Sequence, residues 1–389
     1  MGYVYAVLGA GRQGVAAAYD MVRHGGADRV IMADADYPRA EGAAGRVNRL
    51  TDSSNVTPAK VDVLDHQGLV SLLSEVDAVL SAVPYAFNLR VARACIEART
   101  HMCDLGGNTE VAWSELALDA DARAVGICIV PDCGLQPGMG NTLAVRAMQL
   151  MSEPEEVYIW VGGLPLKPRP PFDYLLTFNI EGLTNEYDEM SIVLQDGQRT
   201  SLPAFGGLEE IEFRPPVGKC EAFLTTGGTS TCPWTFEGKL RTYVEKTVRY
   251  PGHATAFRAF RDLGLFGRDP VPFGNQIAVP RDFYHALLRP RIEFPEDPDV
   301  VVLRVICRGK NGGRAAQAEL ELMDFYDPVT GFRAMERSTG WPAAIVAQLL
   351  ARGEIGPGAR PLEVAVPPEI FMVELERRGF DLKETISRP

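Results

Sequence analysis

Residues 3–34 read YVYAVLGAGRQGVAAAYDMVRHGGADRVIMAD, and this stretch decides the fold. Val4 to Leu8 is a short apolar run that stops at Gly9-Ala10-Gly11-Arg12-Gln13-Gly14. An alanine-rich segment follows, Val15 to Arg23, built of good helix formers and stopped at Gly25-Gly26. Arg29 to Ala33 is a second apolar run, closed by Asp34. Strand, glycine turn, helix and strand in that order predict a dinucleotide-binding βαβ unit. Gly9 permits the tight turn, Gly11 lets a pyrophosphate approach the backbone, and Gly14 lets the helix pack against the strand. The phosphates then meet the positive end of the helix, beside Arg12 and Gln13. Asp34, twenty residues after Gly14, is placed to accept hydrogen bonds from a ribose 2′-OH and to repel a 2′-phosphate. The expected cofactor is NAD, with NADP kept open by the positive charge of Arg39 and Arg12.

The alternation continues. Val61 to Leu64, Ala78 to Val83, His101 to Leu105 and Ile127 to Val130 read as four more strands, separated by helical segments at Leu69–Glu75, Phe87–Ala98 and Glu110–Ala124. The fold class is therefore α/β, a Rossmann doubly wound parallel sheet over residues 1–135. Ligands of such sheets bind at the carboxyl ends of the strands. That rule makes Val63, Ala82, Val83, Pro84, Asn88, Leu105 and Gly106 further candidate cofactor contacts. It also brings Tyr85, Asp104 and Asp132 to the same edge.

Beyond residue 135 the rhythm breaks. Short β-like runs at Val157–Val161, Glu221–Thr226, Tyr243–Tyr250 and Val300–Cys307 alternate with Gly and Pro breaks, and period-two alternation returns at Ala318–Phe325. Residues 136–335 are expected to form an α+β domain for substrate binding and dimerisation. The last segment, 336–389, carries apolar helices at Ala343–Arg352 and Glu369–Arg378.

Length and composition agree with two domains: 389 residues exceed what one core ordinarily supports. Lys and Arg total 39 against 51 for Asp and Glu, a net charge of −12, which disfavours nucleic acid and anionic membranes as partners. No apolar run approaches the roughly 20 residues of a membrane span. The seven cysteines are odd in number and form no CxxC, so reduced thiols and a cytoplasmic location are expected. A first strand opening at Tyr3 leaves no room for a secretory signal. Five histidines without ligand spacing predict no metal site.

Several blocks resemble the saccharopine dehydrogenase family over nearly the whole chain: GAGRQG at 9–14, DLGGN at 104–108, PDCGLQPGMGN at 131–141, VGGLPLKPRPP at 161–171, TTGGTST at 225–231, KTVRYPGH at 246–253 and RSTGWPAAIVAQLLARG at 337–353. Within the family the resemblance is strongest to the lysine 6-dehydrogenases. It implies an NAD-binding domain, an inserted α+β domain for substrate and dimerisation, and a C-terminal helix returning to the first domain; a homodimer or higher homo-oligomer is expected of such an enzyme. The implied reaction is oxidative deamination of the lysine ε-amine to allysine, which cyclises to piperideine carboxylate. A saccharopine-type or related opine enzyme is the alternative, and a dinucleotide-binding protein without catalysis is the third reading. Ala82-Val83-Pro84-Tyr85 and Thr339-Gly340-Trp341-Pro342 resemble the general saccharopine reductases more.

Amine oxidation needs a proton acceptor, because a free amine is protonated at neutral pH (pKa about 10.4). Asp104 and Asp132 are the candidate acceptors, with His253 from the KTVRYPGH block as a third. Arg249 is the candidate for the substrate carboxylate, since guanidinium pairs with it through two bonds. Tyr250, Tyr85, Thr226 and Gly227 complete the expected amino-acid pocket; a regular strand would turn Tyr250 away from Arg249. For a substrate with three carboxylates, Lys167, Arg169 and Lys246 are the further candidate cations. Cys133 is expected to be a packing residue.

Overall fold

The computed structural model describes residues 2–388. The first sheet has seven parallel strands, six of them from the N-terminal region: β1 Tyr3–Leu8, β2 Ala27–Asp34, β3 Val56–Lys60, β4 Ala78–Ser81, β5 His101–Asp104 and β6 Cys128–Val130. Their spatial order is β3-β2-β1-β4-β5-β6, so the winding direction reverses between β1 and β4. That reversal opens a crevice at the carboxyl edge, where open α/β sheets bind ligands. Leu8 at the centre pairs with Ala33 on one side and Ser81 on the other.

The third strand differs from the sequence expectation. Val61 to Leu64 do not extend it; the strand is Val56–Lys60 and contains Pro58. As the outermost strand it tolerates a residue without an N–H. Beyond it the Asp62 side chain accepts a hydrogen bond from Leu64 N at 2.9 Å, a local turn that competes with strand pairing. The expected helix at Glu110–Ala124 is two, Thr109–Leu116 and Asp119–Val125.

The second sheet is mixed. Its strands are β7 Glu153–Pro165, β8 Met190–Gln195, β9 Gln198–Pro203, β10 Glu209–Phe213, β11 Gly218–Phe223 and β12 Thr242–Arg249. A separate hairpin, β13 Val271–Phe273 and β14 Gln276–Ala278, precedes β15 Asp299–Asn311 and β16 Arg314–Phe325. The chain ends with β17 Gly358–Ala359 and β18 Leu382–Ser387. The order is β10-β11-β12-β7-β15-β16-β18, with β8 joined to β12 and β9 to β8. Alternation in β16 buries Ala316, Ala318, Leu320 and Leu322 on one face, as a half-solvated sheet requires.

The C-terminal segment divides between the sheets: β17 pairs in parallel with β6, and β18 pairs with β16. Between them the helix Ala334–Ala351 packs along Arg12–His24, the helix that the glycine turn opens. A Cβ on Gly340 would lie 2.6 Å from Gln13 O and 3.0 Å from the Ala16 Cβ, so glycine sets the helix separation. Arg378 ties the same helix to the chain end, donating to both oxygens of Asp20 at 2.7 Å with neither side chain exposed. A continuous apolar core runs from β1 through these helices to β7, β15 and β16. Gly340→Ala is therefore expected to cost about 1–3 kcal/mol, read as a lower urea midpoint with an unchanged slope. Among the described residues no helix is long and apolar enough to cross a membrane.

Candidate active site

The dinucleotide turn has the geometry its glycines predict. Gly9 adopts φ +103°, and a Cβ there would lie 2.7 Å from Ala82 O. A Cβ on Gly14 would lie 2.1 Å from Gly9 O, so the helix meets the strand where only glycine fits. Gly11 is different: the nearest atom to a Cβ there is Arg39 Nη2 at 3.6 Å. No side chain caps the helix at Gly11. Among the described residues the first N–H groups, from Arg12, Gln13 and Gly14, have no backbone or side-chain acceptor, as an incoming diphosphate requires. Asp34 stands beside it, its carboxylate fixed by Ala10 N at 2.9 Å and Asp36 N at 3.0 Å. Arg39 Nε lies 3.9 Å from that carboxylate and donates to Ala10 O.

The other edge positions fare unevenly. Ala82, Val83 and Pro84 form the loop out of β4 and lie against Gly9 or lead to Tyr85. Leu105 and Gly106 turn the chain out of β5, with Gly106 at φ +75°. Tyr85 packs its ring against Gly107 and its hydroxyl accepts from Asn185 Nδ2 at 3.2 Å, bridging the two domains. Two expectations are corrected. Val63 does not end a strand; it lies past β3 and packs on the outer apolar cluster. Asn88 is 2% exposed and accepts from Ser81 Oγ at 2.8 Å, so it anchors the start of its helix and does not face the crevice.

At the nicotinamide end of the crevice the strands deliver carboxyls. Asp104 Oδ1 accepts from Gly106 N at 2.6 Å and Asp132 N at 3.2 Å. Asp132 adopts φ +63°, a conformation Asp tolerates. Its side chain accepts from Ser230 Oγ of the TTGGTST loop. Both aspartates are buried. Burial first, and the Asp104 charge second, push Asp132 up to about 8; burial raises Asp104 to about 6. Cys133 is buried with its thiol well above the usual range, so it is a packing residue.

The TTGGTST loop then leads to the cation. A Cβ on Gly228 would lie 2.2 Å from Glu245 Oε2, and burial raises Glu245 to about 8, with Glu186 adding to the rise. Thr226 N donates to Glu186 O at 3.0 Å, while Gly227 has open space where a Cβ would be. Arg249, only 4% exposed, points Nη2 at Glu186 Oε2 (3.6 Å) and donates Nε to the Tyr187 hydroxyl at 3.1 Å. Its guanidinium also lies over the Tyr174 ring at 5.1 Å.

His253 does not join the aspartates. It stacks on Phe257 with centroids 3.9 Å apart, and its Nε2 meets the Tyr187 hydroxyl at 3.0 Å. Tyr187 accepts from Arg249 and so gives its own proton to His253, and burial holds the imidazole neutral, well below its usual pKa. It props Tyr187. Tyr250 is corrected too: its hydroxyl donates to Pro165 O at 3.2 Å and its ring joins the apolar cluster with Trp160, on the opposite face from Arg249.

Residues 134–380 match the model of the saccharopine dehydrogenase C-terminal domain, and residues 5–130 that of the saccharopine dehydrogenase NADP binding domain. The chain belongs to the saccharopine dehydrogenase family. It is 24% identical over 331 residues to the mitochondrial alpha-aminoadipic semialdehyde synthase of Bos taurus, covering 82% of this chain and 35% of the relative. It is 23% identical over 235 residues to the saccharopine dehydrogenase [NADP(+), L-glutamate-forming] of Pyricularia oryzae, covering 58% of this chain and 51% of the relative. The chain thus spans about a third of the one relative and half of the other. The apo saccharopine dehydrogenase (L-Glu forming) of Saccharomyces cerevisiae shares its fold, with a TM-score of 0.79, 19% identity, and coverage of 99% of this chain and 100% of that one.

Sequence reasoning overlooked four members of this candidate site: Glu186, Tyr187, Ser230 and Glu245. Acidic residues within helices and strands read as solvated, and nothing local reveals burial. The one usable signal was Ser230, which sits inside the TTGGTST block.

Proposed function

We propose that this family member oxidises a carbon–nitrogen bond of an amino acid with a nicotinamide dinucleotide, and that the ε-amine of lysine is the best-fitting bond. One observation carries the substrate choice. From the dinucleotide turn to Arg249 the site presents the carboxyls of Asp104, Asp132, Glu245 and Glu186 but one guanidinium. A substrate with two amines and one carboxylate complements that balance; three carboxylates oppose it. The other cations considered are occupied or outside: Lys246 pairs with Glu209 at 2.9 Å, Arg169 with Asp297 at 2.7 Å, and Lys167 is exposed.

In this reading Arg249 holds the α-carboxylate through the Nη hydrogens not taken by Val248 O, 2.9 Å from Nη1, and by Glu186, with Tyr187 fixing the fork from Nε. The carboxyl cluster at the other end attracts the ε-ammonium. Ionised as the pH rises through about 8, Asp132 lies closer to the ammonium pKa than an ordinary carboxylate and takes the proton at smaller cost, so the rate is expected to rise through that pH. The nicotinamide supplies the hydride acceptor. The carbon loses its hydrogen with the electron pair, the nitrogen has already lost its proton to Asp132, and a C=N bond forms. Water then adds, and the nitrogen leaves as ammonia. Ser230 and Tyr85 keep Asp132 and the ring face in place.

The choice between NAD and NADP lies with Asp34 and Arg39. Asp34 repels a 2′-phosphate and favours NAD, whereas the matched family model is of an NADP binding domain, and Arg39 is the cation available for that phosphate. Asp34→Ser is expected to raise the NADP-to-NAD ratio of kcat/KM about tenfold or more, and Arg39→Ala to lower it.

A second reading, oxidation of saccharopine, is favoured by the names of the relatives and by a cleft of about 500 Å³ lined by Tyr85, Asn185, Arg268 and Arg281. Arg281 is saturated by Asn185, Asp188 and Phe266 O. Arg268 is exposed, with longer contacts to Glu181 at 3.2 Å and Asn185 at 3.3 Å, and a distal carboxylate would take the place of Glu181 on it. Initial rates with lysine and with saccharopine decide: the proposal expects kcat/KM to favour lysine, and the reverse, abolished in Arg268→Ala, would establish the second reading.

A further inference from the structure

Asp104 Oδ1 takes two backbone N–H groups, but its Oδ2 is buried and meets no N–H or O–H donor among the described residues. Glu115 Oε1, from the helix Thr109–Leu116, is in the same position. The two carboxyls are neighbours in the same buried pocket, and each acts on the other. Ionised carboxylates only accept, so one member of the pair carries a proton. The backbone decides which. Two N–H groups point at Asp104 and favour its charged form, whereas no backbone donor serves Glu115.

We infer that Glu115 is a positioning residue: its protonated carboxyl donates to Asp104 Oδ2 and keeps Asp104 the ionised member of the cluster that attracts the substrate amine. The role of the cluster rests on the function proposed above. The groups facing the pair are Asp132 and Cys133 from the loop after β6, Cys103 from β5, and Cys95 from the helix Asn88–Ala98. None is a cation, so no ion pair competes for the Asp104 charge. Burial, followed by the Asp104 charge, pushes Glu115 up to about 11 while Asp104 stays near 6, in keeping with that assignment.

The test pairs Glu115→Gln with Glu115→Leu. Glutamine retains an N–H donor toward Asp104, so kcat and its acid limb are expected to stay within about threefold of the parent. Leucine removes the donor; Asp104 is expected to titrate about one pH unit higher, which moves the lower step of the acid limb up and leaves the upper step, that of Asp132, in place, with activity regained at higher pH. A carbon NMR titration of the aspartate carboxyls, with Asp104 identified by its loss in Asp104→Asn, should show the same upward move in the leucine variant alone. Unmoved limb and titration in Glu115→Leu would overturn the inference, as would a glutamine variant as impaired as the leucine one. The titration needs no substrate, so it decides the role of Glu115 even if lysine proves not to be oxidised.

Discussion

Asp132→Asn is expected to lower the rate of amine oxidation about 100-fold or more, the usual scale for losing a positioned proton acceptor, with dinucleotide affinity unchanged. Asparagine suits the φ of +63° at this position, since Asn and Asp tolerate that region better than other side chains. It also still accepts from Ser230. The loss should therefore come from chemistry and not from misfolding. Thermal stability gives an independent check. The folded carboxyl titrates near 8, above the unfolded value near 4, so between those limits the folded protein binds more protons and its stability falls as pH rises. The asparagine variant has no charge to bury. It should melt above the parent at pH 9, and the difference should shrink toward pH 4. A variant melting below the parent at pH 9 would mean that Asp132 is ionised and stabilising in the fold.

Arg249→Lys is expected to raise the amino-acid KM about 100-fold, the scale of one or two charge-assisted bonds, with a smaller change in kcat. Lysine leaves a positive charge opposite Glu186, which burial has raised to about 7, so the pocket does not strand an unpaired carboxyl. What disappears is the planar fork: lysine has one nitrogen to serve Tyr187, Glu186 and the substrate. The readout separates carboxylate binding from cofactor binding, since nothing at the glycine turn touches Arg249. Equal losses in dinucleotide affinity and amino-acid KM would remove Arg249 from substrate recognition.

The first domain was legible because its signals are local. The glycine turn must follow a strand and open a helix, and that whole unit lies within about thirty residues of sequence. The exception, Val63, failed where a side chain took over a turn: Asp62 closes on Leu64, and a proline-bearing edge strand carries the pairing instead. Arg249 was legible because a guanidinium inside a β-rich block is a rare thing to bury without purpose. Its neighbours were not. Glu186 ends a helix and Glu245 lies on β12, and only the fold brings them beside Arg249 and sets them with Asp104 and Asp132 in the proposed acidic wall. His253 misled because its usual pKa suits proton transfer, whereas the fold surrounds it with Tyr174, Tyr187, Phe223 and Phe257.

The most direct test follows the hydrogen that leaves the substrate. Lysine deuterated at the ε-carbon and lysine deuterated at the α-carbon would each be incubated with the protein and NAD or NADP, and the reduced dinucleotide analysed for deuterium. With Arg249 holding the α-carboxylate and the acidic cluster drawing the far amine to the nicotinamide end, deuterium should arrive from the ε-carbon only. Transfer from the α-carbon would reverse the orientation of the substrate, and no transfer from either, with reduction by saccharopine instead, would contradict the reading of the acidic wall.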